Sequence, residues 1–217
     1  MSADLILYSN PMSRGRIGRW MLEEVGQPYK VEYLGYGEPM RSPEFLALNP
    51  MGKVPTLRHG DTVVTEAAAI CAYLAAAFPE AGLEADRGTP HYAAYLRWLF
   101  FAAGPLEAAV TGKALGLLAP PDKRMTVGYG DYETVMDTLE HAVAGKTFIA
   151  GDRFTAVDLY VGAHIGWGLQ WGTIEPRPAF TAYRDMVEAR PAFQRAKATD
   201  DEAMQRMMQQ QQQQQQQ

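Results

Sequence analysis

Val54-Pro55-Thr56-Leu57-Arg58-His59-Gly60-Asp61-Thr62-Val63-Val64-Thr65-Glu66-Ala67-Ala68-Ala69-Ile70 is the stretch on which the fold turns. Residues 54–58 and 62–64 are short apolar, β-branched runs, and His59-Gly60-Asp61 between them is a compact turn, so they predict an antiparallel hairpin. Directly after it, Thr65 is placed to cap an alanine-rich helix over 66–78, alanine being the residue that loses least on becoming helical.

Upstream, Leu5-Ile6-Leu7-Tyr8 predicts a short buried strand stopped by the turn formers Ser9-Asn10-Pro11. Ile17, Trp20, Met21 and Val25 recur at helical spacing after Ser13, and Gly26 supplies the stop. A second strand over 29–34 and a short helix from Ser42-Pro43-Glu44 to Leu48, broken by Asn49-Pro50, complete the order β-α-β-α-β-β-α. The crossover helix predicts that the first two strands run parallel, and the hairpin closes antiparallel. The expected fold class is therefore α/β plus all-α, with a thioredoxin-like domain over residues 1–79.

The stretch from Pro79 to Pro90 carries proline, glycine and charge without periodicity, and residues 80–89 within it are assigned as a linker. Residues 90–205 predict an all-helical domain. Tyr92, Tyr95, Leu96, Leu99, Phe100 and Ala103 form one apolar face, Gly104-Pro105 is placed to bend that helix, and Val135, Leu139 and Val143 mark another face. In Phe154-Thr155-Ala156-Val157-Asp158-Leu159, Thr155 and Asp158 have capping-box spacing, with Phe154 and Leu159 spaced as a hydrophobic staple. Proline opens two further helices, over 178–189 and from 191 toward 203. Residues 206–217, ending in the run Gln209 to Gln217, are expected to be a disordered polar tail.

A net charge of -5 and a pI near 5.4 argue against a protein that binds the nucleic-acid backbone, which normally shows a basic face or cluster. Arg14, Arg16 and Arg19 are expected on a solvated helix surface. The lone Cys71 forms no internal disulfide, no Cys/His spacing implies a metal, and a reducing, cytoplasmic setting is expected. Neither a leader at Met1-Ser2-Ala3-Asp4-Leu5 nor an apolar run of membrane-spanning length is visible.

Three segments resemble glutathione transferases: Tyr8-Ser9-Asn10-Pro11-Met12-Ser13-Arg14, Asn49-Pro50-Met51-Gly52-Lys53-Val54-Pro55-Thr56-Leu57, and Thr65-Glu66-Ala67-Ala68-Ala69-Ile70. Trp98-Leu99-Phe100-Phe101-Ala102-Ala103-Gly104-Pro105-Leu106-Glu107 and the Thr155 segment look like the helical half of its bacterial members. The resemblance, which spans roughly residues 4 to 200, implies glutathione as cosubstrate and an electrophilic, partly apolar small molecule as its partner. It implies a cis Pro55, reversing the usual trans preference, so that Val54 pairs its backbone with the peptide. It also implies that Glu66 and Ala67 at a helix start hold the γ-glutamyl end, with Lys53 on the glycyl carboxylate. Relatives place a catalytic Ser, Tyr or Cys where this chain has Ser13. Ser13 is therefore the expected thiol-activating group, with Tyr8, Ser9 and Asn10 as rivals and helix capping as its alternative role.

Many relatives carry Ser or Thr at the position of Ala67, so only its backbone N–H is available here. Met12, Tyr95, Phe100, Phe101 and Trp167 are candidate walls for the second substrate. The family commonly forms twofold dimers, and a homodimer is expected. Cys71 falls inside a helix among apolar residues, away from the active turn, which speaks against cysteine-dependent chemistry. A non-catalytic glutathione- or ligand-binding protein, or an interaction module on the same fold, is the alternative.

Overall fold

The computed structural model describes residues 4–215. The chain divides into two compact units, one running to Ala81 and resuming at Arg190, the other Gly82–Ala189.

The first unit is built on a four-stranded sheet of order β2-β1-β3-β4, comprising β1 (Leu5–Ser9), β2 (Tyr29–Tyr33), β3 (Thr56–His59) and β4 (Thr62–Thr65). β1 pairs in parallel with β2 and antiparallel with β3, and β3 pairs antiparallel with β4, as expected for a thioredoxin-like domain. The central strands carry the core residues Leu5, Leu7 and Leu57, all buried. Helices α1 (Gly15–Val25) and α3 (Ala67–Ala77) pack together and contribute Ile17, Trp20, Met21, Ile70 and Leu74, while α2 (Pro43–Leu48) buries Phe45. Ser42 caps α2 by accepting the Phe45 N–H. The expected Thr65 cap of α3 is not formed: Thr65 ends β4, and Glu66 enters the helix without a side-chain cap.

The second unit contains α4 (Pro90–Phe101), a π-turn over Ala102–Leu106, α5 (Glu107–Leu115), α6 (Tyr132–Val143), α7 (Ala156–Trp171) and α8 (Pro178–Glu188). The π-turn holds Gly104-Pro105, where a bend is expected: proline lacks the N–H that an α-helical turn requires. α7 is buried nearly all round and packs against α4 and α8, which makes it the unit's central helix.

At its start, Asp158 Oδ2 accepts the Thr155 N–H (2.8 Å) and hydroxyl (2.9 Å), closing the capping box, and Phe154 and Leu159 are both buried. Asp158 Oδ1 accepts the Ile149 N–H (2.7 Å) and the Tyr183 hydroxyl (2.6 Å). Burial pushes this carboxyl above the usual carboxylate range, and the four donors pull it back.

Three expectations change. Helix α9 (Pro191–Gln215) belongs to the first unit, so the all-helical unit ends before 205. The reason is a set of long-range pairs with α1: Arg190 with Glu24 (2.7 Å), Arg195 with Glu23 (2.9 Å), and the buried pair Arg19–Asp200 (2.7 Å; 4% and 1% exposed). Arg19, expected at a solvated surface, also donates to the hydroxyls of Tyr29 and Tyr33. The glutamine tail is helical through Gln215, because glutamine is a good helix former and α9 is already nucleated by its docked first half. Residues 1–3 and 216–217, on which the ends of the first domain and of the tail fall, lie outside the described residues. Among the described residues, no helix is long and apolar enough to cross a membrane.

Candidate functional site

Strand register gathers the site. Thr56 pairs with Tyr8 on one side and Thr65 on the other, so the turn after β1, the approach to β3 and the start of α3 meet at one end of the sheet.

The approach to β3 is organised by Asn49, which the sequence marked as a helix breaker and as the first residue of a segment of family resemblance, with no role of its own. Its buried side chain donates to the Lys53 C=O (2.8 Å) and Thr56 Oγ1 (3.1 Å), and accepts the Met51 N–H (3.1 Å). Gly52 completes the bend at φ +60°, where an added Cβ would lie 2.7 Å from the Met40 carbonyl oxygen. Only glycine fits both constraints. The following Val54-Pro55 bond is cis, and among the described residues Val54 keeps both its N–H and C=O free of hydrogen bonds. Lys53 is exposed with no ion-pair partner among the described residues. Arg41, which sequence reasoning missed, brings a second cation to the same bend, 3.4 Å from where a Gly52 Cβ would sit.

At the start of α3 the first helical bond runs from Ile70 N–H to the Glu66 C=O (2.9 Å), so the N–H groups of residues 67–69 have no intrahelical acceptor. Three such donors at the positive end of an eleven-residue helix favour a carboxylate. Glu66 stands there exposed at φ 67°, ψ 122°, the only non-glycine residue of positive φ among those described. This conformation is unfavourable for a residue with a Cβ, so the position carries backbone strain. The buried Ala67 contributes only its backbone.

The turn after β1 carries Ser13. Its hydroxyl donates to the Asn10 C=O (2.7 Å) and accepts the Gly15 N–H (2.9 Å), so in this state Ser13 ties the turn that leads into α1, whose N-cap position is Arg14 rather than Ser13. Two rivals are occupied or enclosed. Asn10 donates its amide to the Leu34 C=O (2.7 Å) and accepts the Met12 N–H (2.9 Å), fastening the turn to the exit of β2. Ser9 is fully buried with an unpartnered hydroxyl packed on Gly15, where an added Cβ would come within 2.1 Å. Tyr8 is half-buried against Phe45, ring centroids 5.7 Å apart. Ser13 alone of the four combines partial exposure with a hydroxyl at the helix start.

Of the second-substrate candidates, Met12 is exposed in the first unit; the other four belong to the second. Tyr95 is 1% exposed and stacked on Tyr92. Phe100 is 71% exposed, so it stands off the apolar face assigned to it, and Phe101 packs edge-on to Trp98. Trp167 is half-buried. Burial pushes the Cys71 thiol far up, which leaves it an inert core residue. Among the described residues no group of three or more His, Cys, Asp or Glu side chains is arranged to hold a metal.

A thioredoxin-like sheet with a cis-proline bend beside an open helix start, in a chain whose second unit is all helical, defines a two-part class of protein. Family models for the N-terminal and C-terminal domains of glutathione S-transferase match residues 13–77 and 130–191, together more than half of the chain, which belongs to that family. It is 29% identical to glutathione S-transferase 3 of Zea mays over 210 residues, covering 90% of this chain and 94% of that one. Among solved structures, a glutathione transferase from Methylococcus capsulatus is similar at TM-score 0.75 and 28% identity, covering 91% and 98% of the two chains. A glutathione transferase homolog from Sulfitobacter, solved with bound glutathione, is similar at TM-score 0.72 and 25% identity, covering 94% and 100%.

Proposed function

We propose that this chain is a glutathione transferase that joins the glutathione sulfur to an electrophilic, partly apolar small molecule. The observation that carries this is the free N–H and C=O of Val54, set by strand register at the same end of the sheet as the open N-terminus of α3 and the Ser13 turn. Glutathione is an extended peptide with a carboxylate at each end. Its cysteinyl segment pairs with Val54 as an added strand. The γ-glutamyl carboxylate takes the N–H groups that begin at Ala67, its ammonium meets Glu66, and the glycyl carboxylate meets Lys53 and Arg41.

Ser13 turns its hydroxyl from the Asn10 carbonyl to the sulfur and holds it as thiolate. A free thiol ionises near pH 8.5, and lowering that by about two units takes roughly 2.7 kcal/mol of preference for the charged form. The thiol proton passes to solvent, the thiolate attacks the electrophile, a carbon–sulfur bond forms, and the leaving group departs with its electron pair. Binding both reactants removes the entropic cost of their meeting. A cytoplasmic homodimer belongs to the same proposal, and a solution mass measurement tests the assembly.

An ultraviolet difference titration with glutathione between pH 5 and 9 tests the mechanism. A thiolate signal at neutral pH supports it. Binding without that signal points to a non-catalytic binder, a reading favoured by the Ser13 hydroxyl's bond to Asn10, and no binding at millimolar glutathione points to an interaction module.

Glu66→Gly separates binding from folding. Relief of about 1–3 kcal/mol of backbone strain, less about 0.5–1 kcal/mol for glycine's freedom in the unfolded chain, is expected to raise the melting temperature by a few degrees. The lost contact to the ligand ammonium is expected to weaken glutathione binding about tenfold. Thermal melts and calorimetric titration of the same sample check both, and tighter binding by the variant would remove Glu66 from the site.

A further inference from the structure

The turn Asn10-Pro11-Met12 presents three successive carbonyls, each held by a different side chain. Asn10 C=O takes the Ser13 hydroxyl (2.7 Å) and Met12 C=O takes the Tyr36 hydroxyl (2.9 Å). Pro11 C=O takes Nε of Arg16, from the first turn of α1. The far end of the same guanidinium reaches α9, where Nη1 donates to Asp201 Oδ1 at 2.7 Å and Nη2 lies 4.0 Å from Met204 Sδ. Arg16 and Asp201 are 22% and 33% exposed. Lys197 holds the other carboxylate oxygen at 2.6 Å.

We infer that Arg16 is a positioning residue for Ser13, a strut through which α9 fixes the active turn. The guanidinium is a rigid planar fork, so anchoring one edge on Asp201 fixes where the other meets the Pro11 carbonyl. Fixing that carbonyl fixes the Pro11–Met12 peptide plane, one residue before Ser13. The hydroxyl can then leave the Asn10 carbonyl while the turn keeps its place, so the position from which it meets sulfur is preset. Asp201 is a dependable anchor: partial burial pushes its carboxyl up, but the bonds from Lys197 and Arg16 outweigh this and hold it below the usual range. The inference rests on Ser13 as the thiol-activating group.

The test compares the full-length wild type with Arg16→Ala, Arg16→Lys and Asp201→Ala, measuring the pKa of bound glutathione by ultraviolet titration, kcat and KM with an aryl halide, and urea melts. In Arg16→Ala the bound thiol pKa is expected to rise by about 0.5–1 unit and kcat to fall about 5- to 10-fold, with glutathione KM within about twofold, as for a group that acts on orientation rather than binding. Arg16→Lys recovers part of the loss, because one ammonium cannot hold both partners. Asp201→Ala moves both readouts the same way by less, and carries the test if Arg16→Ala does not fold. A thiolate in the wild type whose pKa and turnover are unchanged in Arg16→Ala and Asp201→Ala, with only the melts altered, overturns the strut alone. A wild type that binds glutathione without forming thiolate overturns both the transferase assignment and the strut.

Discussion

Asp158→Ala is expected to destabilise the helical unit by about 3–5 kcal/mol, the largest effect of any single substitution considered. Its carboxylate accepts four hydrogen bonds, from Ile149 and Thr155 N–H and from the Thr155 and Tyr183 hydroxyls. The two hydroxyls can rotate toward other acceptors. The two N–H groups cannot, and each buried, unpaired one costs about 1–3 kcal/mol. Loss of the capping box adds about 1 kcal/mol. Removing a buried carboxylate also removes its desolvation penalty, which keeps the total below the sum of its parts. Urea melts with an unchanged m-value are the measurement, and a variant within about 1 kcal/mol of wild type would show that these bonds are replaced elsewhere. Because domains are stable by only about 5–15 kcal/mol, much of the variant is expected to be lost to aggregation during expression.

Ser13→Ala is expected to lower turnover about 100-fold while leaving glutathione affinity within about threefold, since the hydroxyl stabilises charge that the bound thiol acquires only on ionising. The Gly15 N–H donated to Ser13 Oγ polarises the hydroxyl and makes it a stronger donor. Alanine removes both the donor to sulfur and the acceptor for Gly15, so a stability loss of about 1 kcal/mol accompanies the kinetic one. Turnover of aryl halides over a pH series separates the two effects: a lost hydroxyl moves the rate profile toward the free thiol's ionisation, whereas a loosened cap alone does not. A variant with wild-type kcat would remove Ser13 as the activating group and leave it as a cap. Ser13→Thr, which keeps a hydroxyl at the same place, is expected to recover part of the rate.

Much of the fold was legible because its signals are local. The His59-Gly60-Asp61 turn, the stop at Gly26, the Gly104-Pro105 bend and the Thr155–Asp158 spacing each act within a few residues. Turn chemistry and helical periodicity therefore reveal them in the chain itself. The candidate site was proposed from the sequence for a different reason: the motifs around Pro55, Glu66 and Ser13 resemble those of a known family. Their chemistry was not legible. That Glu66 sits at positive φ, that Asn49 is the node of the bend and that Arg41 reaches Gly52 are matters of backbone and side-chain geometry, which no residue type or spacing spells out. Tyr95 and Phe100 show the same limit from the other side. Helical spacing marked both as apolar-face residues, but only packing decided that one is core and the other exposed.

The sequence by itself determined the order of the elements, the hairpin, the capping box of α7 and the residue types available at the site. The tertiary structure decided where α9 docks, which buried partner Arg19 meets 181 residues away, and which carboxylate of α9 anchors Arg16. The physical reason is range. Propensity, capping and turn formation act between neighbours in the chain, whereas burial, ion pairing and hydrogen-bond satisfaction are settled only when distant segments compete for the same space and the same partners.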